Sequence, residues 1–275
     1  MKVAVVGHVE WAECAEVDHV PRPGEIVHAT LGWDEAAGGG AVAAVQLAKL
    51  AGECLFLTAL GDDELGHRAE RELSARGVRV AAAWRQEPQR RAFVHLSADG
   101  ERTITVLGPR VGPNAEDDLP WAELDGADAV YFTAGDDGAL VAARRARKLV
   151  ATVRAKQVLA SAGVQVDVLV ASAADEGERF STGEIEPPPR YVARTEGVTG
   201  GSLETATGEH SHWPAAPVPG PIVDAYGAGD SFAAGLTYGL AEERSIAEAL
   251  ELGARCGAAS LTGPGPYAAQ LRDPR

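Results

Sequence analysis

The residues best suited to chemistry in this chain are contiguous: Val223-Asp-Ala-Tyr-Gly-Ala-Gly-Asp-Ser-Phe232, an acidic, glycine-rich turn that runs into a helix-like stretch from Ser231 to Glu242. Two glycines around one alanine permit a tight turn whose peptide N–H groups at Gly227, Ala228 and Gly229 point the same way, at the positive end of the following helix. Anions bind such a place. A phosphoryl group in transit, with negative charge spread over its equatorial oxygens, is stabilised there more than its ground state is. Asp230 is then placed to accept the proton of an attacking hydroxyl. Taken without its surroundings, a lone Gly-x-Gly-Asp is better explained as a turn with an aspartate N-cap.

The surroundings reverse that balance. The run resembles the C-terminal signature of the ribokinase-like (PfkB) carbohydrate kinases, D-T-x-G-A-G-D-x-F, from which only Ala225 departs. No G-x-x-x-x-G-K-[ST] phosphate loop occurs in the chain, and the resemblance implies a kinase that works without one. It implies an α/β fold, a ribokinase-like three-layer α/β/α domain over residues 1–275, with a small β-sheet lid from segments about 11–33 and 88–108. It also implies ATP with Mg²⁺ as cofactors, a monovalent cation such as K⁺ near Asp224, and a sugar-like acceptor.

The elements that must position these groups follow in chain order. Lys2 to Gly7 is β-branched and apolar on both faces, so it reads as a buried central strand, and Gly7 does not continue into the G-x-G-x-x-G of a dinucleotide site. The resembled family follows this strand with G-S-x-N-x-D, whose aspartate holds sugar hydroxyls. Here Gly7-His-Val-Glu10-Trp-Ala12 puts alanine there, and Glu10 or Glu13 stands as a substitute acceptor for substrate hydroxyls, against the plainer reading of surface carboxylates. Gly38-Gly39-Gly40 opens a helix of small residues to Leu50, and resembles the family's glycine hinge beside the sugar, with Gly38 and Gly39 at the acceptor. The asparagine that follows in ribokinases aligns with Ala43. Trp11 and Trp33 flank this region, where a ring stacks on a sugar or base if it is not simply packed.

Ala92 to Ser97 and Arg102 to Leu107 alternate and flank a turn at Ala98–Glu101, so they read as a lid hairpin needing the body or a twin lid to be stable, hence a possible homodimer through the lids. Arg90, just before it, falls near the arginine of relatives that phosphorylate sugar phosphates; edge protection is the plainer explanation. Asp63 reads as a helix cap, Asp136 and Asp137 as caps closing the turn at a strand's carboxyl end, and Ala139–Arg147 as a basic amphipathic helix. Ser172-Ala-Ala-Asp175 stands where the family has N-x-x-E, so Asp175 inherits the magnesium region. Thr195-Glu-Gly197-Val-Thr-Gly200 resembles the T-x-G-x-x-G nucleotide segment, and the small residues Ala254 and Gly257 of the helix over 246–261 leave room for adenine. His210 and His212 share a strand face but lack a third metal ligand nearby.

Composition narrows the class. With 25 Lys+Arg against 40 Asp+Glu, the net charge of −15 opposes general binding to nucleic acid or anionic membranes. Three cysteines without C-x-x-C spacing indicate neither disulfides nor zinc, and a short apolar start followed by glutamates is not a signal peptide. The expectation is a cytoplasmic, ATP-dependent kinase of a sugar-like molecule. The alternatives are a nucleoside or sugar-phosphate kinase, and a non-catalytic sugar or nucleotide sensor.

Overall fold

The computed structural model describes residues 1–97, 102–181 and 183–272. The expected turn at Ala98–Glu101 lies outside the described residues.

Strand β1 (Val3–Val6) organises the body, because every one of its four side chains is buried. Alternation sends Val3 and Val5 into one apolar cluster and Ala4 and Val6 into another, which is how a strand between two helical layers must be built. The first cluster holds α1 (Gly39–Ala51), α5 (Ala228–Ala241) and α6 (Ile246–Ser260). The second holds α3 (Asp137–Ala143) and α4 (Lys156–Ala162). Helix α2 (Glu64–Ala75) buries Ala69 and Leu73 against the first.

The large sheet contains β1, β4 (Cys54–Gly61), β5 (Val78–Arg85), β8 (Ala129–Phe132), β9 (Lys148–Thr152), β10 (Val168–Ser172), β11 (Tyr191–Thr195), β12 (Gly201–Thr205) and β13 (His210–Trp213). Their order is β13-β12-β11-β10-β9-β8-β1-β4-β5, parallel from β5 through β11 and antiparallel in the last two pairings. The chain builds outward from β1 to one side, then returns to build from β8 to the other. The order therefore reverses between β1 and β8, and the carboxyl ends of those strands are where an open α/β sheet has its crevice.

A second sheet, β3-β2-β6-β7, covers that end. It comprises β2 (Glu10–Val17), β3 (Leu31–Ala37), β6 (Arg91–Ser97) and β7 (Arg102–Leu107). Its inner face carries Ala12, Cys14, Ala37, Ala92, Val94 and Leu96, which close over Tyr226. Gln89 ties the sheet to the body, since its buried side chain donates to the Val9 carbonyl (2.9 Å) and accepts from the Gly61 N–H (3.1 Å).

Asp63 and Asp136 cap α2 and α3 as expected, whereas Asp137 is the first residue of α3 and not a cap. The helix expected over Ala139–Arg147 is shorter: α3 stops at Ala143, and Arg144 caps it with a guanidinium on Asp167 and the Gln165 carbonyl.

Candidate active site

Helix α5 begins at Ala228, directly after Gly227, whose φ of +80° favours glycine and where a side chain would meet Pro266 and Val42. Ala228 N–H leans toward the Ala225 carbonyl at 3.4 Å. Those of Gly227, Gly229 and Asp230 have no hydrogen-bond partner among the described residues, and Gly229 is exposed. The turn thus presents unpaired donors at a helix N-terminus to the crevice.

The Asp230 carboxylate lies against Gly39: a Cβ on Gly39 would stand 2.8 Å from Asp230 Oδ1. The two glycine-rich stretches, far apart in sequence, therefore converge on one carboxylate. Lost hydration pushes Asp230 up to about 6; Glu178 and Glu10 add to that, and Arg102 and Arg154 oppose it. A carboxyl held near 6 is mostly ionised at neutral pH yet basic enough to take a proton.

Arg102 reaches down from β7 to donate to the Ala225 carbonyl at 2.7 Å, so the lid touches the turn that carries Asp230. Arg154, two residues beyond the carboxyl end of β9, pairs with Glu178 (2.6 Å) and with Asp175. Glu178 also accepts from the Ser172 N–H at 2.7 Å.

On the acceptor side, His8 follows β1 with Nδ1 3.5 Å from Thr133 Oγ1 and Nε2 3.8 Å from Glu10 Oε1. Burial, with Arg110, Arg90 and Arg154 adding, pushes it down to about 3, so it is a neutral hydrogen-bonding group. Arg90 donates through Nε to Glu10 Oε1 at 2.7 Å. Two residues singled out from sequence are thus bonded to each other.

Glu13 is a correction. An odd number of residues from Glu10, it projects from the other face of β2 and pairs with Arg91. Trp11 shares that outer face, buried in the body cluster under Arg68. Gly200 is packed against the backbone of Trp213 to Ala215, where a side chain would not fit. Thr195 ends β11 beside Ser172, and Gly197 has open space where a side chain would be. Gly257 lies 3.2 Å (as a built Cβ) from the Ala228 carbonyl, and Ala254, one turn earlier, is partly buried.

The metal expectations fare differently. Both Asp224 oxygens accept backbone N–H groups, from Tyr226 (2.8 Å) and Gly265 (3.0 Å), so this buried carboxylate fastens the turn to the C-terminal loop. Asp175 caps a 3-10 turn and pairs with Arg154. Among the described residues no three potential metal ligands cluster, and His210 and His212 are exposed hairpin residues. No described helix is long and apolar enough to cross a membrane.

Sequence reasoning missed His8, Arg102, Arg110, Arg154 and Glu178. Arg154 carried a signal, a cation just past the carboxyl end of a parallel strand, which was hidden while β9 was unrecognised.

A three-layer α/β/α body with a β lid over the crevice defines a ribokinase-type fold. The model of the pfkB family carbohydrate kinases matches residues 1–179 and 185–272, and the chain belongs to that family. Among its relatives is the ATP-dependent ribose-1-phosphate kinase of Halopiger xanaduensis, 30% identical over 99% of this chain and 96% of the relative. The aminoimidazole riboside kinase of Salmonella typhimurium is 30% identical over 84% and 83%. Ribokinase from Thermotoga maritima superposes with a TM-score of 0.79 at 21% identity, covering 99% of this chain and 97% of that one. Arabidopsis thaliana ribokinase, solved with ribose and ATP, gives 0.77 at 22%, covering 99% and 96%.

Proposed function

We propose that this kinase transfers the γ-phosphoryl group of ATP to a hydroxyl of a sugar-like, ribose-bearing small molecule, with Asp230 as base. The observation that carries the reading is the convergence of Asp230, Gly39 and the unpaired N–H groups of the 227–230 turn. In the step, the acceptor oxygen forms a bond to the γ-phosphorus while the bond from that phosphorus to the β–γ bridging oxygen breaks. ADP leaves with the electron pair, and the hydroxyl proton passes to Asp230. Gly227, Ala228 and Gly229 face the developing charge, and Arg154 adds a cation on the same side.

Thr195, Gly197, Ala254 and Gly257 are the nucleotide's expected neighbours. Magnesium would ride on the ATP phosphates, reaching Asp175 and Glu178 through water, which suits a site without a cluster of three ligands. It would supply charge neutralisation to the transferring group. Because Asp224 already spends both oxygens on backbone donors, a K⁺ ion beside it would rely on neighbouring carbonyls. The lid leaves Ile104, Val106 and Leu107 exposed, the apolar surface that a homodimer through the lids would cover.

The two named relatives act, by their names, on a ribose phosphate and on a riboside, which sets the range for the acceptor. The test is ADP release with sugars, sugar phosphates and ribosides. Ligand-induced thermal shifts without ADP from any acceptor would replace this reading with the sensor.

A further inference from the structure

The two helix starts that converge on Asp230 are also joined from behind, by the segment that follows α6. Gln270 is 4% exposed, and its amide nitrogen donates to the Val42 carbonyl at 3.0 Å and to the Ser231 hydroxyl at 3.3 Å. Val42 belongs to the first turn of α1, after Gly39, and Ser231 follows Asp230 directly in α5. One side chain therefore spans the starts of the two helices that carry Gly39 and Asp230.

We propose that Gln270 is a positioning residue: its amide fixes the start of α5 against the start of α1, and so sets the spacing between Asp230 and Gly39 in which the acceptor hydroxyl gives up its proton. The proposal rests on the kinase reading and adds to it a residue that acts through another.

Three observations support it. First, the amide can face only one way, because Val42 offers a carbonyl and the nitrogen must point at it. The Gln270 oxygen is then left buried without a hydrogen-bond partner. An apolar side chain of the same length would fill the space without that cost, so what glutamine adds here is its two donors.

Second, the segment is itself held to α1 and to the end of β3. Gln46, one turn beyond Val42, donates to the Leu271 carbonyl at 2.7 Å, Lys49 donates to the Tyr267 carbonyl, and the Tyr267 hydroxyl donates to the Ala36 carbonyl at 2.5 Å. With its neighbours fixed in this way, Gln270 carries the position of α1 across to α5.

Third, the contact over which the bridge acts is close-packed. A Cβ on Gly227 would stand 2.9 Å from Val42 Cγ1, and one on Gly39 would stand 2.8 Å from Asp230 Oδ1. A small shift of α5 on α1 therefore changes the gap at Asp230 directly, since the packing leaves no room to absorb it.

The experiment compares Gln270→Met with Gln46→Met by steady-state kinetics, calorimetric melting and NMR titration of the Asp230 carboxyl. Gln46 is a matched control: it is likewise buried, also leaves its oxygen unpartnered and also bonds the 267–271 segment, but it forms no hydrogen bond with α5 among the described residues. Both variants are expected to melt lower. Only Gln270→Met should lower kcat, about 10- to 30-fold, with the KM values for ATP and acceptor within about threefold, because geometry rather than binding is lost. Only Gln270→Met should admit water to Asp230 and bring its titration from about 6 toward 3.8, with Glu178, Glu10, Arg102 and Arg154 still around it. Ser231→Ala removes the far end of the bridge alone; it should lower kcat by a smaller factor, add nothing to Gln270→Met, and stand in for that variant if it does not fold. Wild-type kcat and Asp230 titration in the bridge variants, or the same losses in Gln46→Met, overturn the proposal and leave the kinase standing. No ADP from any acceptor, with a titration that moves in Gln270→Met and not in Gln46→Met, overturns the kinase reading and leaves the bridge.

Discussion

The two ends of the crevice are made differently. At the transfer end the working parts are backbone: a helix start, a turn at positive φ, and one carboxylate pressed against a glycine. At the acceptor end they are side chains from separate stretches, His8 and Glu10 from one and Arg90 from another, with Arg110 within electrostatic reach of His8. Stabilising a phosphoryl group in flight needs fixed dipoles in one place, which ten consecutive residues can supply. Recognising a particular acceptor needs groups spaced to that acceptor, which only the tertiary fold can gather.

That contrast predicts unequal effects. Asp230→Asn removes the base while keeping the shape, and lowers kcat about 10²- to 10⁴-fold with ATP binding retained, measured by ADP release and calorimetry. Its stability effect has the opposite sign. The folded state protonates Asp230 near 6, above the ordinary 3.8, so above pH 6 the fold carries the cost of an ionised, desolvated carboxylate. That cost fades as pH falls from 6 toward 4. The variant is expected to melt about 2–4 °C higher at pH 8 and unchanged at pH 4, by calorimetry. A variant no more stable at pH 8 would mean that Asp230 is well solvated in the fold.

Gly39→Ala tests the convergence itself. Its Cβ would fall 2.8 Å from Asp230 Oδ1, so the carboxylate or the start of α1 must shift. A displacement of that size costs about 10²-fold in kcat with the melting curve nearly kept. Normal turnover would show that the acceptor does not lie between these two residues.

How much of this was legible in the sequence follows the same division. The decapeptide around Asp230 announced the transfer end because its signals are local: glycines, a helix start, an acid. Of the four lid strands, β6 and β7 were legible from their alternation, while β2 and β3 were not read as strands. Two body strands were not: β5 has three consecutive alanines, V-R-V-A-A-A-W-R, and the five residues K-L-V-A-T of β9 follow a basic stretch that reads as helix. Without β9, Arg154 had no carboxyl end to stand at. Glu13 was misjudged because two glutamates three residues apart look interchangeable until the strand puts them on opposite faces.

Glu10→Gln probes the acceptor end. The substitution keeps volume and an acceptor oxygen but removes the charge that orients Arg90. The acceptor KM should rise about tenfold and the ATP KM should stay within about twofold, by steady-state kinetics. An unchanged acceptor KM would make Glu10 a structural partner of Arg90 alone.

The smallest effect is expected where the two ends meet, at Arg102 of the lid. Wild-type kcat/KM should fall about tenfold per pH unit below about 6, as Asp230 takes up its proton. Asp230 lies among Glu178, Arg154, Glu10 and Arg102, with the neutral His8 beyond Gly39 and the phenols of Tyr131 and Tyr226 within electrostatic reach. Arg102 is the foremost of the charges that favour its ionised form. Replacing Arg102 by Gln therefore raises the pKa of Asp230 further and moves the acid limb to higher pH. Activity at pH 6 should drop about three- to tenfold relative to pH 8, while Arg102→Lys keeps the limb in place. If Arg102 merely tethers the lid to the Ala225 carbonyl, Arg102→Gln lowers kcat by the same factor at every pH, and the lid then plays no part in keeping the base ready.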